Sequence, residues 1–303
     1  MTTVADPRTE PGARPAGHRP AAPRRRRPWS TSKIAVNTAL VLAAAYTLFP
    51  AAWMLLAAAK TGAGLMAGVF SLQDLDLSGN LSRLVHQDHG IYLRWCLNSL
   101  LYAGGGAVLC ALVSVAAGYA FDKYAFRGKE KLFALVLVGV LVPTSATAIP
   151  LYLLASKVHL VNTVWAVLIP SVVNPFLVYL GRVFSAGYVP DEVLEAARID
   201  GAGELRIFFS IALPMLRSGF TTMTLFQFSA IWNGFFLALM MLSNLKLYPV
   251  TLGIYIWSMQ AATDPYMKPL AICGAVIAVV PVVLLFLCLQ RYWRSGLTAG
   301  AVK

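Results

Sequence analysis

The sequence predicts an all-α integral membrane protein with six transmembrane helices, and three observations predict it. Of 303 residues, 58% are hydrophobic and only 13% charged, well under the roughly one quarter charged that a soluble domain carries. Six apolar runs recur at 34–59, 96–121, 132–154, 163–181, 218–242 and 267–290. Each is close to the roughly 20 residues that cross a hydrocarbon core about 30 Å thick at about 1.5 Å per residue. Within these six runs there is no Asp or Glu at all.

Taken in order, residues 1–33 are rich in Pro, Ala, Gly and Arg and include the run Arg24 to Arg27. Such a composition cannot bury enough apolar surface to order itself, so a disordered basic tail is expected there. The run 34–59 is too long for the apolar region of a secretory signal and lacks a clear small-residue cleavage site, which makes it a retained membrane helix. The remaining five runs complete a transmembrane domain over 34–290, with a core at 92–290, and 291–303 form a C-terminal tail. Pro143, Pro150, Pro170, Pro175 and Pro281 lie in or near the runs. Proline breaks a soluble helix, but in a bundle neighbouring helices satisfy the freed carbonyls, so kinks are expected.

Orientation follows from the basic residues. With the N-terminus inside, 19 of the 25 Lys and Arg residues fall on the cytoplasmic side and six outside, which places both termini of this multi-pass cell-membrane protein in the cytoplasm. The net charge of +12 is therefore a membrane-topology signal. Nucleic acid is not an expected partner, since the basic residues have no accompanying stacking surface or recognised motif; lipid is.

The chemistry the sequence omits narrows the function. Ion-coupled carriers commonly place ionisable groups at depth, and the six runs hold no carboxylate. No paired carboxylates, nucleophile elbow or metal-binding His cluster is present, so neither catalytic nor metal-ligating residues are expected. His86 and His89 are three apart in an exterior loop, where solvated surface is the expected role. The four cysteines, Cys96, Cys110, Cys273 and Cys288, show no metal-ligand spacing and are expected to be reduced and buried. Asn174, Gln227, Trp232 and Asn233 are polar groups inside or beside the apolar runs. Two roles fit them: lining a route for a hydroxyl-rich solute, or tying helices together by interhelical hydrogen bonds. Gly104, Gly105, Gly106 and Gly118 would let helices approach closely.

The most charged long interruption is Asp191 to Pro214, DEVLEAARIDGAGELRIFFSIALP. Pro190 suits a helix start, and Asp191 and Glu192 meet the positive end of the helix dipole. Asp200-Gly201 offers a turn in which glycine takes a positive φ, and a second helix is expected over 203–213, before Pro214. Val193, Leu194, Ala197 and Ile199 in the first helix, with Ile207, Phe208 and Ile211 in the second, are expected to form one apolar side. The loop 190–214 then packs either on its own bundle or on a partner.

The residue string in that loop shifts the balance toward a partner. Glu195-Ala196-Ala197, Asp200-Gly201-Ala202, Phe208 or Phe209, and Ile211 with Leu213-Pro214 resemble the EAA signature, roughly E-A-A-x-x-D-G-A followed by I-x-L-P, of the inner-membrane permease subunits of ATP-binding-cassette importers. IPLYLL (149–154), WNGFF (232–236) and the ending QRYWRSGLTAGAVK (290–303) resemble the carbohydrate-uptake branch, the relatives of the second, six-helix permease of the maltose importer. The basic tail has no counterpart in that pattern.

The resemblance implies a type I ABC importer permease fold with cytoplasmic EAA coupling helices. It implies that Glu195, Ala196, Ala197, Asp200, Gly201 and Ala202 dock in a cleft of the ATPase, Glu195 pairing with a basic group there and Gly201 permitting the bend. The GLTAGAVK tail would also reach the ATPase. The implied partners are a second homologous permease, an ABC ATPase dimer and an extracytoplasmic solute-binding protein that touches loops 60–95 and 243–266. No cofactor is expected on this chain: it has no G-x-x-x-x-G-K-[ST] phosphate loop, and ATP and Mg would bind the partner ATPase. The rival expectations are a permease of the same superfamily for glycerol phosphate or peptide, and an ion-coupled secondary carrier.

Overall fold

The computed structural model describes residues 31–68 and 71–299. Most of the basic tail, and the last four residues of GLTAGAVK, lie outside the described residues. By internal contacts the chain divides into two units, 1–49 and 50–303. Helix α1, Thr31–Ala59, starts in the first and ends in the second. Within the first unit every described side chain of α1 is exposed, as in a helix apolar all round whose solvent is lipid.

In the second unit, α2 (Gly62–Met66) and α3 (Leu77–His86) lead to the long helix α4, Ile91–Lys123. There follow α5 (Lys129–Leu141), α6 (Thr144–Lys157) and α7 (Val164–Tyr188). Two short helices, α8 (Asp191–Ile199) and α9 (204–215), make up the acidic loop. The chain ends with α10 (Arg217–Asn233), α11 (Phe236–Met241), α12 (Val250–Gln260) and α13 (Met267–Ala299).

Four helices are long and apolar enough to cross a membrane among the described residues: Ser32–Ala59, Ile91–Lys123, Val164–Tyr188 and Met267–Cys288. The expected run 132–154 is instead two helices, α5 and α6, bent by 104°. Pro143 is the cause: Val142 before it is forced to an extended ψ of 118°, because proline's ring excludes the helical region for its predecessor. Counted as one span, the bent pair makes five. The expected run 218–242 is split at Gly234, whose extended backbone (ψ 122°) ends α10 after 17 residues and leaves α11 with six.

Helices α4 and α7 cross at two glycines. A Cβ on Gly118 would overlap the backbone of Gly181 and Arg182, and a Cβ on Gly181 would overlap the Ser114 carbonyl oxygen. A Cβ on Gly106 would come within 2.9 Å of the Ile231 Cδ1 methyl, whereas one on Gly104 would meet nothing within 4 Å. Close approach is thus achieved at Gly118 and Gly106, and Gly104 contributes nothing to it.

One face of α4 holds the loop after α11 by its backbone. Arg94 Nε and Asn98 Nδ2 donate to the Lys246 carbonyl at 2.9 Å, Trp95 Nε1 to Leu245 at 2.8 Å and Tyr102 to Leu247 at 2.9 Å. Ser99 Oγ accepts from Val250 N–H at 2.7 Å, fully buried. Residues 94, 95, 98, 99 and 102 lie on one stripe of a 3.6-residue period. Near α3, the buried Asn80 donates from Nδ2 to the Ala58 and Lys60 carbonyls, both at 2.9 Å.

Candidate functional site

The loop 190–214 is built as its residue types dictate. Pro190 takes an extended φ/ψ before α8, and Asp191 and Glu192 occupy the first turn while Arg198 lies in the last, each sign facing the dipole end that favours it. The helix stops at a Schellman motif: Gly201 N–H donates to Arg198 O and Ala202 N–H to Ala197 O, both at 3.0 Å. That closure needs a left-handed residue, and Gly201 supplies φ +80°. In α9 a π turn over Phe208–Ala212 precedes Pro214, whose missing N–H leaves the Ser210 carbonyl without its usual donor.

Leu194 and Ala197 of α8, with Ile207, Phe208 and Ala212 of α9, are buried in one cluster with Tyr119 of α4, Leu177 of α7 and Met223 of α10. Val193 and Ile199 are not on that buried side. Ile199 is 86% exposed, because it falls at the end of α8 beside the turn, on the opposite face from Leu194. Glu195, Ala196, Asp200 and Gly201 are exposed and Ala202 is half-buried. Beside them Leu205 and Phe209 stand 77% and 54% exposed. The loop therefore has an anchored side and an apolar-acidic free side.

Ion pairs fix both limbs. Lys123 Nζ, at the end of α4, lies 2.7 Å from Asp191 Oδ1 and 3.1 Å from Asp122 Oδ2. Ser185 Oγ of α7 donates to the same Asp122 oxygen at 2.8 Å. Across the turn, Arg198 Nε donates to Glu204 Oε1 at 2.7 Å, and the Tyr124 hydroxyl donates to Glu204 Oε2 at 2.8 Å. Arg198, and after it Tyr124, holds the Glu204 carboxyl below its usual range. Lys123 does the same for Asp191. Burial and the Glu204 bond push the Tyr124 phenol upward. Sequence reasoning singled out none of Asp122, Lys123, Tyr124 or Glu204. Only the Arg198–Glu204 spacing across a glycine turn carried a local signal.

The four polar residues at depth occupy two places. Pro175 has no N–H to give the Ser171 carbonyl, so α7 breaks, and Gln227 Nε2 of α10 donates to that carbonyl at 2.8 Å. Asn174 Oδ1 caps the resumed helix at Phe176 N–H, and its Nδ2 donates to Gln227 Oε1 at 2.8 Å. Trp232 is buried, its Nε1 donating to Ala278 O of α13 at 2.9 Å, in the turn before Pro281. Asn233 is exposed and donates to Ser229 O of its own helix. Asn174 and Gln227 are thus brought together, and neither Trp232 nor Asn233 is bonded to that pair. Of the cysteines, Cys110 and Cys273 are buried, Cys96 is half-buried and Cys288 is exposed.

Residues 111–298, spanning the loop and all four polar residues, match the family model described as binding-protein-dependent transport system inner membrane component. The chain belongs to that family. Among curated relatives of this permease, the arabinooligosaccharides transport system permease protein AraQ of Bacillus subtilis is 31% identical over 91% of this chain and 97% of its own. The maltodextrin transport system permease protein MdxG of Bacillus subtilis is 34% identical over 71% of this chain and 77% of its own. The lactose transport system permease protein LacG of Rhizobium radiobacter is 30% identical over 87% and 94%. A solved bacterial ABC transporter involved in the import of the acidic polysaccharide alginate superposes with a TM-score of 0.73 at 22% identity, covering 87% of this chain and 98% of that one. That likeness shows the permease fold; the multi-pass membrane character follows from the family and from the long apolar helices.

Proposed function

We propose that this permease is the membrane subunit of an ATP-driven carbohydrate importer. It forms half of the translocation pathway with a second homologous permease, crosses the membrane six times with both termini in the cytoplasm, and couples to an ABC ATPase dimer through the loop 190–214. Solute arrives from an extracytoplasmic binding protein, and ATP and Mg sit on the ATPase. The three relatives named above, an arabinooligosaccharide, a maltodextrin and a lactose system, support the solute class.

The observation that carries the coupling role is the two-sided loop. Leu194, Ala197, Ile207 and Phe208 are buried on the bundle, while Glu195, Ala196, Asp200 and Gly201 stand clear with Ile199, Leu205 and Phe209. An exposed apolar strip with acidic groups beside it fits a partner's apolar cleft with a basic rim. The excess of Lys and Arg on the same side supports the cytoplasmic placement.

The test is uptake by the assembled complex in energised vesicles. Sugar accumulation is expected to follow ATP and to survive an uncoupler. Glu195→Lys, on the exposed side, is expected to abolish uptake and ATPase recruitment while the chain stays in the membrane. Uptake that collapses with the proton gradient, or proceeds normally in Glu195→Lys, would contradict this function.

A further inference from the structure

We infer that Asp122, Lys123 and Tyr124, at the end of α4, are positioning residues that carry movement of the loop 190–214 into α4. This rests on the coupling role proposed above. The loop is joined through the chain to α7 before it and α10 after it, so any displacement of α8 and α9 pulls those two helices directly. Helix α4 has no such connection: 68 residues separate Lys123 from Asp191 and 80 separate Tyr124 from Glu204.

What binds α4 to the loop is of two kinds. Tyr119 packs on Phe208 with ring centroids 5.3 Å apart, an apolar contact without a hydrogen-bonded or ionic anchor. The polar contacts do fix register. Lys123 reaches the first residue of α8 and Tyr124 the first residue of α9, at 2.7 Å and 2.8 Å. Three consecutive residues of α4's end therefore grip both limbs and, through Asp122 and Ser185, the end of α7 as well. The Lys123 side chain is only 7% exposed while its partner Asp191 is 73% exposed, so the lysine is held at the edge of the bundle and the carboxylate reaches it from the solvent side through a short charge-assisted bond. One turn back, Gly118 interlocks with Gly181, so α4 and α7 have little freedom to separate as they respond.

The experiment compares Lys123→Met, Tyr124→Phe and their double variant in the complete complex of both permeases, ATPase dimer and binding protein, reconstituted in proteoliposomes. Uptake and ATP hydrolysis are measured together, with ATPase co-purification as a third readout. Tyr124→Phe removes a hydroxyl and keeps the ring packed on Tyr119, so it separates the bond from folding. The expected result is continued hydrolysis and normal co-purification with uptake per ATP lowered about fivefold or more in the double variant. Lys123→Arg is expected to keep the wild-type ratio. An unchanged ratio in the double variant overturns the inference. So does a parallel fall of uptake, hydrolysis and co-purification, which assigns these residues to docking alone. A wild-type complex without ATP-driven uptake removes the coupling role itself and this inference with it, whereas working wild-type with an unaltered double variant removes this inference only.

Discussion

Gly118 of α4 and Gly181 of α7 meet backbone to backbone: a Cβ on Gly118 would overlap Gly181 itself, and a Cβ on Gly181 would overlap the Ser114 carbonyl oxygen one turn before Gly118. Since the obstacle on both sides is main chain, a methyl group there cannot be absorbed by a rotamer change. Gly118→Ala and Gly181→Ala are each expected to destabilise the fold by about 1–3 kcal/mol, the usual cost of overpacking, with Gly104→Ala as the near-neutral control. Thermal unfolding of the purified chain in detergent measures this; equal midpoints for all three would refute the crossing.

Gln227 repairs a broken helix by donating to the Ser171 carbonyl that Pro175 cannot serve, and Asn174 in turn donates to Gln227. Interhelical amide bonds in membranes average about 0.6 kcal/mol, with a maximum near 1.7. A double-mutant cycle of Asn174→Ala and Gln227→Ala is expected to show coupling in that range. If these amides instead serve solute alone, the cycle shows no stability coupling and uptake KM changes.

Ser99→Ala removes the acceptor that the buried Val250 N–H meets at 2.7 Å. A buried donor left unsatisfied costs about 1–3 kcal/mol. Ser99→Thr keeps the oxygen and is expected to retain most of the stability. Amide exchange at Val250 distinguishes them: protection falls in the alanine variant and persists in the threonine one.

Acid is expected to loosen the acidic loop. Asp191 and Glu204 both have carboxyl pKa values lowered in the fold, by Lys123 and by Arg198 with Tyr124 respectively. A lowered carboxylate contributes stability fully above its ordinary value, about 4, and loses it as pH falls through the lowered value. Hydrogen exchange across 190–214, corrected for the intrinsic pH dependence, is therefore expected to be flat from pH 7 to 5 and to rise below pH 4. Asp191→Asn with Glu204→Gln should remove that rise.

The left-handed Gly201 is a further test of the turn. Its φ of +80° lets the Schellman bonds close, and a side chain there brings a penalty of roughly 1–2 kcal/mol. Gly201→Asn, which tolerates that region better than most residues, is expected to keep the loop's protease resistance, and Gly201→Val to lose it.

Much of this permease was legible from composition and local chemistry. The apolar runs announced a membrane protein because charge cannot be spread through lipid, and the proline start, early carboxylates and Asp200-Gly201 turn of α8 are properties of a few consecutive residues. Other features depend on what lies across the bundle. The run 132–154 bends by 104° and the run 218–242 breaks at Gly234, although hydropathy is blind to direction and reads each as continuous. Val193 and Ile199 share α8's apolar character with Leu194 and Ala197, yet only the last two are buried. Asn174 meets Gln227 across 53 residues, and Lys123 meets Asp191 across 68. Sequence by itself determined which segments are apolar, where α8 starts at Pro190 and stops at Gly201, and which family signature the chain carries. Tertiary structure alone decided which polar groups became partners, since a hydrogen bond is set by a separation near 3 Å in space, and that distance leaves no trace in residue order.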